Sequence, residues 1–215
     1  MMKLYDDAVI HEKNFQIYPD TKIIFFDLET TGLNPNFDHI IEFGAYATNI
    51  HANEMFSFQT FVNIHEHVPA FITNLTRIDD QLTKTGMETK QLLEQLHHLI
   101  GKHDILVAHN GIHFDLQFLN HWCDYYHVPR FDNPFIDTLY LARFFLPELP
   151  NHKLGTVCKH FMINYDALNV AHRADADAKY LCDIFWKLMQ LHPDFWKYPL
   201  QEWNSLLYSL INLDH

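Results

Sequence analysis

The chain has 215 residues, 48% of them hydrophobic, and a formal net charge of −12. That length supports one domain with a sizeable core, and the composition excludes a disordered chain. With 15 Lys and Arg against 27 Asp and Glu and no basic run, tight nonspecific duplex binding is disfavoured, because such binding rests on cations meeting phosphates.

Residues 1–20 read as an N-terminal extension. "KIIFFDLE" then gives a strand in which Ile23, Ile24, Phe25 and Phe26 form a continuous apolar run, the mark of burial on both faces. Asp27 and Glu29 at its end are poor strand formers that are seldom buried unpaired. Alternation aims both carboxylates to one side, roughly 7 Å apart along the chain. Two like charges so placed call for a counter-ion, and a hard divalent cation takes oxygen ligands. Taken alone, the pair also suits a strand end with two solvated acids.

"HIIEFGAYATN" (39–49) and "FSFQTFVN" (56–63) read as the second and third strands, antiparallel neighbours across a short connection. "ETKQLLEQLHHLIG" is a helix with Leu92, Leu93, Leu96, Leu99 and Ile100 on one stripe and Gly101 as its stop. "DILVAHN" (104–110) is a buried strand. "FDLQFLNHWCDYYH" follows as a helix with Asp115 in its first turn, where an acid complements the helix dipole or reaches a ligand beyond the strand ends. "PFIDTLYLARFF" gives a short strand and then a helix capped by Asp137. "HKLGTVCKHF" is a short helix, and "RADADAKYLCDIFWKLMQ" a long one with Ala174, Ala178, Leu181, Phe185 and Leu188 at helical spacing. In it, Asp177 is a candidate ligand and Asp175, two positions away, points to solvent. His172 and Asp177 can face one site only if His172 stands at or before the helix start. Residues 192–215, aromatic and punctuated by proline, read as an appendage packing on the core.

The order predicts an α/β fold with a mixed sheet of about five strands flanked by helices. No stretch approaches ~18 consecutive apolar residues, so no membrane span is expected. The N-terminus lacks the basic start and apolar stretch of a signal peptide. Cys123, Cys158 and Cys182 are odd in number and widely spaced, which suits a reducing, cytoplasmic setting better than a disulfide framework or a zinc knuckle. Most of the 17 histidines read as surface or core residues.

"FDLETTGL", "HNGIHFDLQFL" and "HRADADA", in that order, resemble the three motifs of the DEDDh (DnaQ-like) family of 3′–5′ exonucleases, which includes the proofreading subunits of bacterial replicative polymerases. "IIEFGA" and "IDTLYLAR" support the match, which runs from Lys22 to Met189. The resemblance implies a ribonuclease-H-like fold over an exonuclease domain at 21–191, two Mg²⁺ or Mn²⁺ ions, and a DNA or RNA 3′ end as substrate, with DNA favoured. A polymerase partner is a further implication. Asp27, Glu29 and Asp177 would bind the catalytic metal, with Asp27 and Asp115 serving the second. His172 would be the general base. Thr30, Thr31, Gly32 and Leu33 would cradle the terminal nucleotide, and His109 and Asn110 would face the substrate strand.

Two departures stand out. His109 and Asp115 are six positions apart, one more than in many relatives, as in the three-prime repair branch. Arg77 in "LTRIDD" stands where relatives often have glycine, and adds a candidate phosphate contact. Competing readings are an oligoribonuclease-like or RNA-trimming enzyme, an idle nucleic-acid- or polymerase-binding module, and a small-molecule phosphodiesterase.

Overall fold

The computed structural model describes residues 18, 20–165, 173–191 and 193. The expectations for the two terminal extensions fall almost wholly outside this range, and His172 lies outside it. Among the described residues no helix is long and apolar enough to cross a membrane.

A mixed sheet forms the frame. β1 (Ile23–Thr30) pairs antiparallel with β2 (Ile40–Thr48), and β2 with β3 (Glu54–Asn63). Three elements follow: α1 (Ala70–Thr76), α2 (Asp80–Thr83) and the two-residue strand β4 (Met87–Glu88), which lies parallel to β3. After α3 (Thr89–Leu99), β5 (Ile105–Ala108) runs parallel to β1 on its other side. α4 (Asp115–Tyr126) leads to β6 (Phe135–Asp137), parallel to β5. The chain continues through α5 (Thr138–Phe145), α6 (Leu154–His160) and α7 (Ala174–Leu191). The strand order is β4-β3-β2-β1-β5-β6.

The five strands expected from the sequence are therefore joined by a sixth of two residues. Gly86 is what lets it dock, since a Cβ there would lie 2.1 Å from the Phe61 carbonyl oxygen. Helices α1 and α2 carry no long periodic stripe and were not foreseen. Gly101 lies just past α3, but the helix stops at an extended Ile100. The Gly101 N–H instead donates to the Asp104 carboxylate at 2.6 Å. Asp137 caps α5 as expected, accepting from the Leu139 N–H at 3.0 Å.

The doubly apolar reading of β1 has a direct structural meaning. Ile23 and Phe25 pack with β5 residues Ile105 and Val107 against α5, α6 and α7. Ile24, Phe26 and Leu28 face the other way, against α3 and α4. Because side chains alternate along a strand, Asp27 and Glu29 continue the first set. Strand period alone thus sends both acids toward α7.

Candidate metal centre

β1 ends in a bulge. Glu29 pairs with Glu42 but Thr30 pairs with Ile40, so Ile41 is the extra residue on β2. Bulges bend a strand and re-aim its side chains, and are frequent beside active sites. Beyond the bulge, α7 lays its first turn over the sheet. There Asp177 is 5% exposed, while Asp175 points outward as expected. Carboxylate oxygens of Asp27, Glu29 and Asp177 all lie within 4.8 Å of one another.

Three partly or fully buried acids at that spacing oppose one another's ionisation. Burial, then Asp115, Asp177 and Glu29, hold the Asp27 carboxyl well above the usual carboxylate range. Burial, then Asp177, Glu42 and Asp115, raise Glu29 to about 8, against a smaller lowering by Arg173. Both mechanisms, desolvation and like charge, penalise the charged form. A bound cation reverses that logic. Donors that are all carboxylate oxygen match Mg²⁺ or Mn²⁺ rather than a soft metal. The residues therefore fit the ions implied by the sequence motifs.

Asp115 stands beside this cluster rather than in it. It is 3% exposed, and its Oδ1 accepts the Leu28 N–H at 3.1 Å. Burial raises it to about 7, partly offset by backbone hydrogen bonds. A Cβ on Gly111 would come within 3.4 Å of the Asp115 carboxylate and 2.3 Å of Ala108 Cβ, so a glycine is needed where the loop after β5 turns back.

The loop after β1 is densely tied. Thr30 Oγ1 donates to the Gly32 carbonyl at 2.6 Å, and the Thr31 hydroxyl accepts from the His39 N–H at 2.9 Å. The Asp38 carboxylate accepts from the Asn34 N–H at 2.9 Å and from the Thr31 hydroxyl at 3.3 Å. A Cβ on Gly32 would lie 2.4 Å from that carboxylate. This pinned loop presents Leu33 at 83% exposure and Phe37 at 81%.

The other expected substrate residues behave differently. His109 turns both ring nitrogens to protein partners, Nδ1 at 2.9 Å from Thr138 Oγ1 and Nε2 donating to the His152 carbonyl at 2.8 Å. Burial pushes the imidazole down to about 4, so it is neutral at pH 7. Its local role is to tie the loop after β5 to the segment before α6. Asn110 is exposed at φ 66, its N–H donating to Asp137 at 2.8 Å. Arg77 is exposed and caps α1 at φ 63.

Three features escaped the sequence reading. Phe37 carried no periodic signal. Tyr165 lies near the cluster: burial first, then the Asp177 charge, push its phenol above its ordinary value. Glu42 did leave a signal, an acid inside the apolar run "IIEFGA". It is fully buried and ion-paired with Arg173.

Known proteins resemble this chain in sequence and in fold. The exonuclease family model RNase_T matches residues 24–185. The DNA polymerase III PolC-type protein of Oceanobacillus iheyensis is 40% identical over 191 residues, 87% of this chain and 13% of that protein. The PolC-type protein of Ureaplasma parvum is 39% identical over 186 residues, 86% of this chain and 13% of that protein. The chain thus spans about an eighth of the length of these relatives. Among solved structures, exonuclease I superimposes with a TM-score of 0.74 at 20% identity, over 85% of this chain and 44% of that one. E. coli exonuclease I in complex with a dA16 oligonucleotide gives 0.74 at 19%, over 83% and 43%. These two likenesses establish a shared fold.

Proposed function

The chain belongs to the RNase_T exonuclease family, and on that footing we propose that it is a metal-dependent 3′–5′ exonuclease releasing nucleoside 5′-monophosphates from single-stranded or frayed DNA 3′ ends. The observation that carries this reading is the convergence of Asp27, Glu29 and Asp177 within 4.8 Å, with Asp115 alongside. DNA is supported over RNA by the likeness to DNA polymerase III PolC-type proteins. The same likeness supports a polymerase as partner and a cytoplasmic setting.

Asp27, Glu29 and Asp177 would hold one divalent ion, Mg²⁺ or Mn²⁺, and Asp27 with Asp115 a second. The chemistry such a pair supplies when bound is charge neutralisation at phosphorus and at the leaving oxygen, and a lowered pKa for the attacking water. His172 would take that water's proton as general base, a role suited to an imidazole side chain. Thr30, Thr31 and Gly32 hold the loop that presents Leu33, and Leu33 and Phe37 receive the terminal bases. Stacking on an aromatic ring is worth about 1–3 kcal/mol per base. His109 and Asp137 fix the neighbouring loop through bonds within the protein.

The test is digestion of one DNA oligomer labelled at either end, with and without Mg²⁺, beside an all-RNA oligomer of equal sequence. A 3′ label should leave at once as mononucleotide, and a 5′ label should give a descending ladder. Chelation should stop both, and DNA should be cut faster than RNA. Internal cuts, or cutting without metal, would overturn the reading.

A further inference from the structure

β2 meets the first turn of α7 through a polar contact beside the site acids. Glu42 is 0% exposed. Its carboxylate accepts from Arg173 Nη2 at 2.8 Å and Nε at 3.1 Å, and from the Ala174 N–H at 3.1 Å. Gln59 on β3 adds a bond of 2.7 Å, and the Arg173 guanidinium lies 5.2 Å from the centre of the Phe61 ring. Two residues along β2, Gly44 lets the backbones touch. A Cβ there would lie 2.1 Å from the Ala174 carbonyl carbon and 2.2 Å from the Asp175 nitrogen. In register, Glu42 opposes Glu29 and Gly44 opposes Asp27. Directly opposed residues share a face of the sheet. The start of α7 is therefore seated over the two strand positions that carry the site acids.

We infer that Glu42 and Arg173 are positioning residues for the metal centre, a clamp that sets the register of α7 so that Asp177 meets Asp27 and Glu29. A buried ion pair is weak evidence for stability, because apolar residues of similar volume often do as well. What a guanidinium fork on a carboxylate adds is direction. Direction is what this helix needs, since the three acids it brings together repel one another before any cation arrives. The inference rests on the metal reading proposed above.

Arg173→Lys keeps the charge and loses the fork, while Glu42→Gln keeps the shape and weakens the pair. In the full chain, Mn²⁺ binding followed by electron paramagnetic resonance should weaken about tenfold in each, within the 10–100-fold range for losing a group that orients a ligand. Turnover at limiting Mn²⁺ should fall in parallel, KM for the oligonucleotide should hold, and excess Mn²⁺ should restore the rate. A lowered melting temperature with wild-type Mn²⁺ affinity and turnover would make the clamp merely structural and overturn the inference. If Arg173→Lys does not fold, the double variant Glu42→Gln/Arg173→Met leaves no unpaired buried charge and must show the same loss of Mn²⁺ affinity. Failure of the wild-type chain to bind Mn²⁺ would instead overturn the metal reading itself, and this inference with it.

Discussion

Glu29→Gln should stabilise the metal-free protein at pH 8 while destroying its activity. The folded state holds Glu29 at about 8 against an ordinary 4.5. A carboxyl raised on folding binds more protons in the native than in the unfolded state, so stability falls as pH rises. For Glu29 that window runs from about 4.5 to about 8. A displacement of that size is worth roughly 5 kcal/mol at about 1.36 kcal/mol per tenfold change in proton affinity. The repulsion is shared with Asp27 and Asp177, so it belongs to the cluster rather than to Glu29 alone. Neutralising one member should therefore return a smaller part, about 1–3 kcal/mol. In a chain of this size that is a rise of roughly 3–9 °C in melting temperature. The assay is thermal melting in EDTA at pH 5 and pH 8, then again with Mn²⁺. Wild type and variant should melt close together at pH 5, the variant higher at pH 8, and the order should invert once Mn²⁺ is added. A variant no more stable than wild type at pH 8 in EDTA would refute the claim that these acids repel one another.

Asp177→Ala and Asp27→Ala should abolish mononucleotide release with the fold intact by circular dichroism; activity within tenfold of wild type for Asp27→Ala would sink the two-ion reading. His172→Ala should lower turnover by roughly 10²–10⁴, the range for losing general acid–base help, and flatten the lower limb of the pH–rate profile, with Mn²⁺ affinity unchanged. Arg77 occupies a left-handed conformation at φ 63, which costs a side-chain-bearing residue about 1–2 kcal/mol, so Arg77→Gly should raise the urea midpoint; a fall would show that the side chain holds a contact outweighing that strain. On a long single strand with excess unlabelled trap, the enzyme should release after one or a few cuts, because a chain with 15 Lys and Arg against 27 Asp and Glu has few cations for upstream phosphates. Degradation continuing past the trap with a steep salt slope would contradict this.

His109 shows where a linear reading stops. The family resemblance implied that it faces the substrate strand. Its ring is held by Thr138 and the His152 carbonyl, 29 and 43 positions away in the chain. No local pattern encodes those distances. Phe37 is the converse case: an aromatic residue in a loop would ordinarily be read as packed, and only the folded loop shows it turned outward.

The sequence by itself determined five of the six strands, the helices of the α7 layer and the direction of the acids. Those features follow from periods of 2.0 and 3.6 residues, which are local properties of the backbone. A doubly apolar run ending in Asp27 and Glu29 had to put both carboxylates on one face, whatever the rest of the chain did. The tertiary structure alone decided how closely Asp177 approaches them. That distance depends on the bulge at Ile41, on the bare backbone of Gly44 beneath Ala174, and on Glu42 gripping Arg173 across 131 positions of chain. Each is a contact between elements far apart in sequence, and its energy exists only after the chain has closed.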